Sequence, residues 1–138
     1  MNPGTASSPD VKFFVLTLNR PDFRRDIYKT NLERIPKLKR FHAINGFDIQ
    51  ETIAQYNRSK LVYHGLAPSF HTYGMLANFL TKFAFLKFQV LRKIPLACWI
   101  EDDLELTDDF VTFVEDLTPL LHGNSRFNMV RLRRRMNK

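Results

Sequence analysis

Three acidic residues in succession, Glu101-Asp102-Asp103, follow directly on the apolar run Leu96-Ala97-Cys98-Trp99-Ile100. Carboxylates this close repel one another and lose hydration beside an apolar strand, so they need water, hydrogen-bond donors or a cation to compensate. A hard divalent ion, Mn²⁺ or Mg²⁺, suits them: it takes a few carboxylate oxygens and completes its shell with water and phosphate oxygens. Held there, it would bridge the acids to a diphosphate and stabilise the charge on a departing one. In an extended segment Glu101 and Asp103 point one way and Asp102 the other. Asp103 is then the choice for the direct metal ligand, with Glu101 and Asp102 meeting water or hydroxyl groups. A plain acidic loop leading into a helix is the competing reading.

The surroundings have the opposite sign. Residues 101–116 carry eight acids and no base, whereas the other residues hold 21 bases and six acids, giving a net charge of +7 over 138 residues. A basic body with one acidic stretch suits either a polyanion or a small phosphorylated ligand bridged to the acids by a cation. The terminal Arg131-Leu132-Arg133-Arg134-Arg135 run is the feature that a nucleic-acid-binding module would use. No nucleic-acid motif accompanies it, so nucleic acid is not an expected partner.

Other chemistries are poorly supplied. His42, His64, His71 and His122 have no metal-ligand spacing, and neither glycine-rich phosphate motif is present. The single cysteine, Cys98, excludes an intramolecular disulfide and reads as a buried thiol. The N-terminal residues 1–11 are small and polar and read as a disordered segment without the parts of a signal peptide, and no stretch is long enough to span a bilayer. As written, the chain reads as cytoplasmic; a longer N-terminus would admit the lumen of the endoplasmic reticulum or Golgi. Asn57-Arg58-Ser59 is a formal glycosylation sequon that means little without such a signal.

The elements that must position the acids follow from periodicity and punctuation. Residues 12–18 form a β-prone apolar run ended by Asn19-Arg20-Pro21, and a helix over about 22–34 follows, with Phe23, Ile27, Tyr28 and Leu32 inward, stopping before Pro36. Residues 38–44 make a second strand closed by Asn45-Gly46, a turn dipeptide suited to positive φ. One short helix is expected around Ile49–Tyr56, then a long one from Gly74 to about Arg92 with Leu76, Phe79, Leu80, Phe83 and Val90 on its packed side. Leu96–Ile100 is a strand buried on both faces. Thr107 is the expected N-cap of a helix carrying Phe110, Phe113, Val114 and Leu117, and residues 127–132 alternate like a final strand. The pattern is α/β with a mostly parallel sheet and helices on both faces. In such sheets ligands gather beyond the carboxyl ends of the strands, which is where Thr17–Arg20, Ala43–Gly46 and Glu101–Asp103 all fall.

These segments, in this order, resemble one family. Phe14-Val15-Leu16-Thr17-Leu18-Asn19-Arg20-Pro21-Asp22-Phe23-Arg24-Arg25 resembles the opening strand and arginine-containing turn of the family 25 glycosyltransferases, including related algal and large-DNA-virus sequences. Arg40-Phe41-His42-Ala43-Ile44-Asn45-Gly46 is similar to their second strand and its turn, and Gly74–Lys82 to the start of their long helix, with Thr81-Lys82 where a Ser-His pair is usual. Trp99–Asp103 matches their acidic motif and Asn128–Leu132 their next strand.

The resemblance implies a GT-A, Rossmann-like fold, a nucleotide-diphosphate sugar donor, Mn²⁺ (or Mg²⁺) at the acidic motif, and a glycan or protein-linked acceptor. Thr17, Leu18, Asn19 and Arg24 would contact or frame the nucleotide, with Ala43, Ile44, Asn45 and Gly46 near base and ribose. Lys82 would meet a phosphate, Glu101 and Asp102 would serve the donor, and Asp103 the metal. Residues 12–138 would then be the nucleotide-sugar-binding part of a domain whose acceptor half and general base are not found after Leu132, a truncated GT-A domain. A sugar-nucleotide-binding protein without transferase activity is the alternative.

Overall fold

The structure is a computed structural model and describes residues 10–18, 25–61, 72–121 and 129–132. Its elements are β1 (Lys12–Thr17), α1 (Arg25–Arg34), β2 (Lys39–His42), α2 (Ile49–Ser59), α3 (Tyr73–Leu91), β3 (Ala97–Glu101) and α4 (Phe110–Leu121). The strands form a parallel sheet in the order β2-β1-β3, with Leu16 opposite Phe41 on one side and Glu101 on the other. The first strand of the chain is thus the central one, and the strand order reverses there. That reversal opens a crevice at the carboxyl edge, where ligands bind in open α/β sheets.

Alternation along β1 divides the core in two. Phe13 and Val15 join Ile35, Leu38, Ile100, Leu106 and Val114, against which Tyr28 and Leu32 of α1 and Phe110 and Val111 of α4 pack. Phe14 and Leu16 join Phe85 of α3, with Phe41, Phe88 and Trp99 around them. The sheet is therefore covered on both faces, as an apolar parallel strand such as Phe13–Leu16 requires. The coarse architecture is the expected one: α/β, parallel, and Rossmann-like.

The differences are local. β2 is shorter than residues 38–44, although Ala43 N–H still donates to the Thr17 carbonyl at 2.8 Å, continuing the pairing past the strand's end. α2 runs three residues beyond Tyr56, started by the Asp48 side chain accepting from Glu51 N–H. On α3 the buried residues are Ala77, Leu80, Thr81 and Phe85; Phe79 is exposed and Val90 is 76% exposed, so the inward face is rotated from the one expected. The helix is apolar nearly all round, so hydrophobic spacing alone does not choose its packed side. On α4, Val114 is buried but Phe113 faces solvent. Thr107 donates its hydroxyl to Asp109 Oδ1 at 2.5 Å instead of capping the helix with its side chain.

Residues 129–132 are irregular and exposed rather than part of a strand; residues 127 and 128, like residues 1–9 and 22–24, lie outside the described residues. Met129, Val130 and Leu132 are all solvent-facing, so the alternation there has no buried side to serve. Among the described residues no helix is long and apolar enough to cross a membrane.

Candidate functional site

The carboxyl ends of all three strands open into one cleft of about 790 Å³. Its lining joins the end of β1 (Leu16, Leu18), the loop after β2 (Ala43 to Phe47), the first two turns of α3 and Glu101, Asp102 and Asp103. Two of the polar segments singled out in the sequence, Ala43–Gly46 and Glu101–Asp103, thus share one site with Leu18 of the third, whose Asn19 and Arg20 lie outside the described residues.

Each wall is fixed by a short polar connection. The loop after β2 is tied to α3 by Thr81, whose hydroxyl accepts from Ile44 N–H at 2.9 Å while donating to the Ala77 carbonyl at 2.8 Å. It is also pinned to α2 by Thr52, fully buried, whose hydroxyl reaches the Asn45 and Asp48 carbonyls. At Gly46 a Cβ would stand 2.6 Å from Gly74 Cα, so the lack of a side chain at Gly46 lets loop and helix touch. Close backbone approach, not a left-handed conformation, is what requires Gly46: its φ lies outside the positive region.

The acidic wall is held from the other side of the sheet. Asn31, 1% exposed on α1, donates through Nδ2 to the Leu104 carbonyl at 2.7 Å and accepts through Oδ1 from Leu106 N–H at 2.8 Å. One side-chain amide therefore satisfies a buried donor and an acceptor of the loop leaving β3, which leaves neither unpaired. Arg34 adds to this, donating to the Leu106 carbonyl and pairing with Asp108 at 2.9 Å. Asp108 has a partner on another helix as well as a favourable place near the start of α4.

The three acids then diverge. Glu101, the last residue of β3, pairs with Lys82 Nζ at 3.3 Å on the α3 side. Asp102 turns toward β1 and accepts from the Thr17 hydroxyl at 3.1 Å. Divergence of these two follows the alternation of an extended strand. A turn closed by Leu104 N–H donating to the Glu101 carbonyl follows, so the alternation does not extend to Asp103, which is exposed in the cleft.

Of the expected site residues, Leu18, Ala43, Ile44, Asn45, Gly46, Glu101, Asp102 and Asp103 line the cleft. Thr17 and Lys82 are not in the lining; they hold Asp102 and Glu101, which are. Asn45 spends its Oδ1 on the Phe47 N–H at 3.0 Å and acts in the loop's own turn. Asn19 and Arg24 lie outside the described residues. The sequence reading missed Phe47 and Tyr73, for which the adjoining glycines are the local signal; Asn78 and Thr81 lie in the Gly74–Lys82 segment of the resemblance but were given no place in the site.

No group of three or more His, Cys, Asp or Glu side chains among the described residues is placed to hold a metal ion. Asp103, the expected metal ligand, is exposed in the cleft and would hold an ion as a single carboxylate, the other ligands coming from water and phosphate. Cys98 takes no part: it is half-buried under the other face of the sheet, and burial pushes its thiol from 9.0 up to about 11. In comparison with known proteins, the chain matches no family model, no curated protein and no solved structure.

Proposed function

We propose that this chain is the donor-binding part of a metal-dependent glycosyltransferase of the GT-A type, which moves a sugar from a nucleotide-diphosphate sugar to an acceptor hydroxyl of a glycan or glycoprotein. The observation that supports it most is the single cleft at the reversal of strand order, walled by Ala43–Gly46 on one side and Glu101–Asp103 on the other. The family resemblance of the same segments supplies the substrate class.

In this reading Asp103 would hold Mn²⁺ or Mg²⁺. When bound, the ion neutralises charge on the diphosphate as it departs. Thr17 holds Asp102 turned toward β1 by donating its hydroxyl, so this carboxylate approaches the donor in a fixed direction. Lys82 keeps Glu101 at the α3 margin, and its side chain, about one-third exposed, would also serve a phosphate oxygen. The loop from Ala43 to Gly46 presents backbone to base and ribose, held in place by Thr81 and Thr52.

Calorimetric titration with a uridine- or guanosine-diphosphate sugar in Mn²⁺ tests the reading. Asp103→Ala should abolish Mn²⁺-dependent binding; unchanged binding removes the metal assignment. A donor hydrolysis assay separates transfer from binding alone, since binding without turnover, even to water, marks a non-catalytic sugar-nucleotide-binding protein.

A further inference from the structure

We infer that Phe47 and Tyr73 form a stacking platform for the nucleobase, at the lip where the loop after β2 touches the start of α3. The inference rests on the reading of the cleft as a nucleotide site. Gly46 and Gly74 meet so closely that a Cβ on Gly46 would lie 2.6 Å from Gly74 Cα. The residue after the first glycine and the residue before the second are both aromatic, and both line the cleft. The backbone contact thus sets two ring-bearing residues on one lip.

Neither ring belongs to the packed interior. Phe47 is 87% exposed and Tyr73 44% exposed, and both stand apart from the two core clusters. Their backbones, by contrast, are fixed. Phe47 N–H donates to Asn45 Oδ1, and α2 begins two residues later under the Asp48 cap. Tyr73 opens α3, where the Thr72 hydroxyl accepts from Met75 N–H at 3.1 Å. Rings left in water on an ordered backbone meet a flat partner at little ordering cost, because the chain beneath them is already set.

The remainder of the cleft identifies that partner. Its other wall carries Glu101, Asp102 and Asp103, so one end of the site is aromatic and the other is the acidic end that the proposed function gives to a cation and its counter-anion. A nucleoside diphosphate has the matching asymmetry, a planar π-face at one end and a metal-binding diphosphate at the other. Stacking tolerates any base, since every base offers a π-face. The platform therefore contributes affinity, and base identity is left to hydrogen-bonding groups elsewhere in the cleft.

The test is calorimetry on the full chain in Mn²⁺, with uridine diphosphate, guanosine diphosphate and inorganic pyrophosphate as probes. Phe47→Ala and Tyr73→Ala should each weaken both nucleotides by about tenfold and leave pyrophosphate unchanged, the size expected for losing one base–aromatic contact. Phe47→Trp should restore nucleotide affinity. Both side chains are solvent-exposed, and unchanged circular dichroism confirms that the variants fold. If pyrophosphate binds and the nucleotides bind no better, or if the alanine variants leave nucleotide affinity intact, the platform is overturned while the phosphate and metal site stands. If neither pyrophosphate nor nucleotide binds the wild-type chain, the nucleotide reading of the cleft falls and takes the platform with it.

Discussion

Phe13 and Val15 point from the central strand into a mainly aliphatic layer beneath α1 and α4, whereas Phe14 and Leu16, one residue along, point into an aromatic layer beneath α3. The aromatic layer is organised by ring geometry. Phe85, with no exposed surface, meets Phe14, Phe41 and Trp99 edge to face with centroids 5.1–5.4 Å apart. Such contacts have preferred angles and so orient α3 against the sheet, with Thr81 and Lys82 adding polar ties. Aliphatic side chains pack without preferred angles, and on that side the position of the loop after β3 is set by hydrogen bonds from Asn31 and Arg34. The cleft takes one wall from each regime: α3 carries the glycine contact and Thr81, and the Asn31-bound loop carries the acids.

The comparison is broken most severely at Phe85. Phe85→Ala should cost about 3–5 kcal/mol of folding stability, measured by chemical denaturation, because it removes the ring at the centre of the aromatic layer. A loss under about 1 kcal/mol would show that the ring contacts do not organise that side. Asn31→Ala should cost about 2–3 kcal/mol by leaving the Leu106 N–H and the Leu104 carbonyl without partners. It should also weaken Mn²⁺-dependent nucleotide binding, since the acidic triplet loses its anchor. Intact binding alongside lowered stability would separate the anchor from the site.

Cys98 gives the smallest effect and sharpens the description of the aliphatic layer. Burial favours the neutral thiol, so the unfolded chain loses its proton near 9.0 and the folded chain near about 11. The folded state then holds more protons than the unfolded one across that interval, and stability falls as pH rises through it, with no effect at neutral pH. Thiolate absorbance in native protein should appear only above about pH 10, and appearance near 9 would mean the thiol is open to water.

Much of the frame was legible because it rests on local rules. β1 and β3 are apolar runs bounded by polar residues and proline, α1 stops before Pro36, and the strand–helix order predicts a parallel sheet whose loops meet at one edge. The family resemblance was drawn from those same segments. Other features depend on contacts that no local pattern encodes. Asn31 lies in an ordinary polar helix sequence, and its partners Leu104 and Leu106 are more than 70 residues away. The packed face of α3 was misread because Phe79, Phe83 and Val90 are as apolar as the residues that are buried; the sheet's aromatic side chains made the choice. The pairing of Lys82 with Glu101 at 3.3 Å is likewise visible only in the fold, because it joins the middle of α3 to the end of β3.

The order β2-β1-β3 also bears on how the molecule assembles. β1 pairs with β2 across the single crossover that contains α1, with Phe14 beside Lys39, but β3 must return across a separation such as the 85 residues between Thr17 and Asp102. Each doubling of loop length adds only about 0.6 kcal/mol of closure entropy, yet long-range parallel pairing is intrinsically slow. The acidic wall thus depends on the strand pairing of largest sequence separation in the described sheet. The cleft is complete only in chains that have made that pairing, so an intact cleft reports correct folding of the whole sheet.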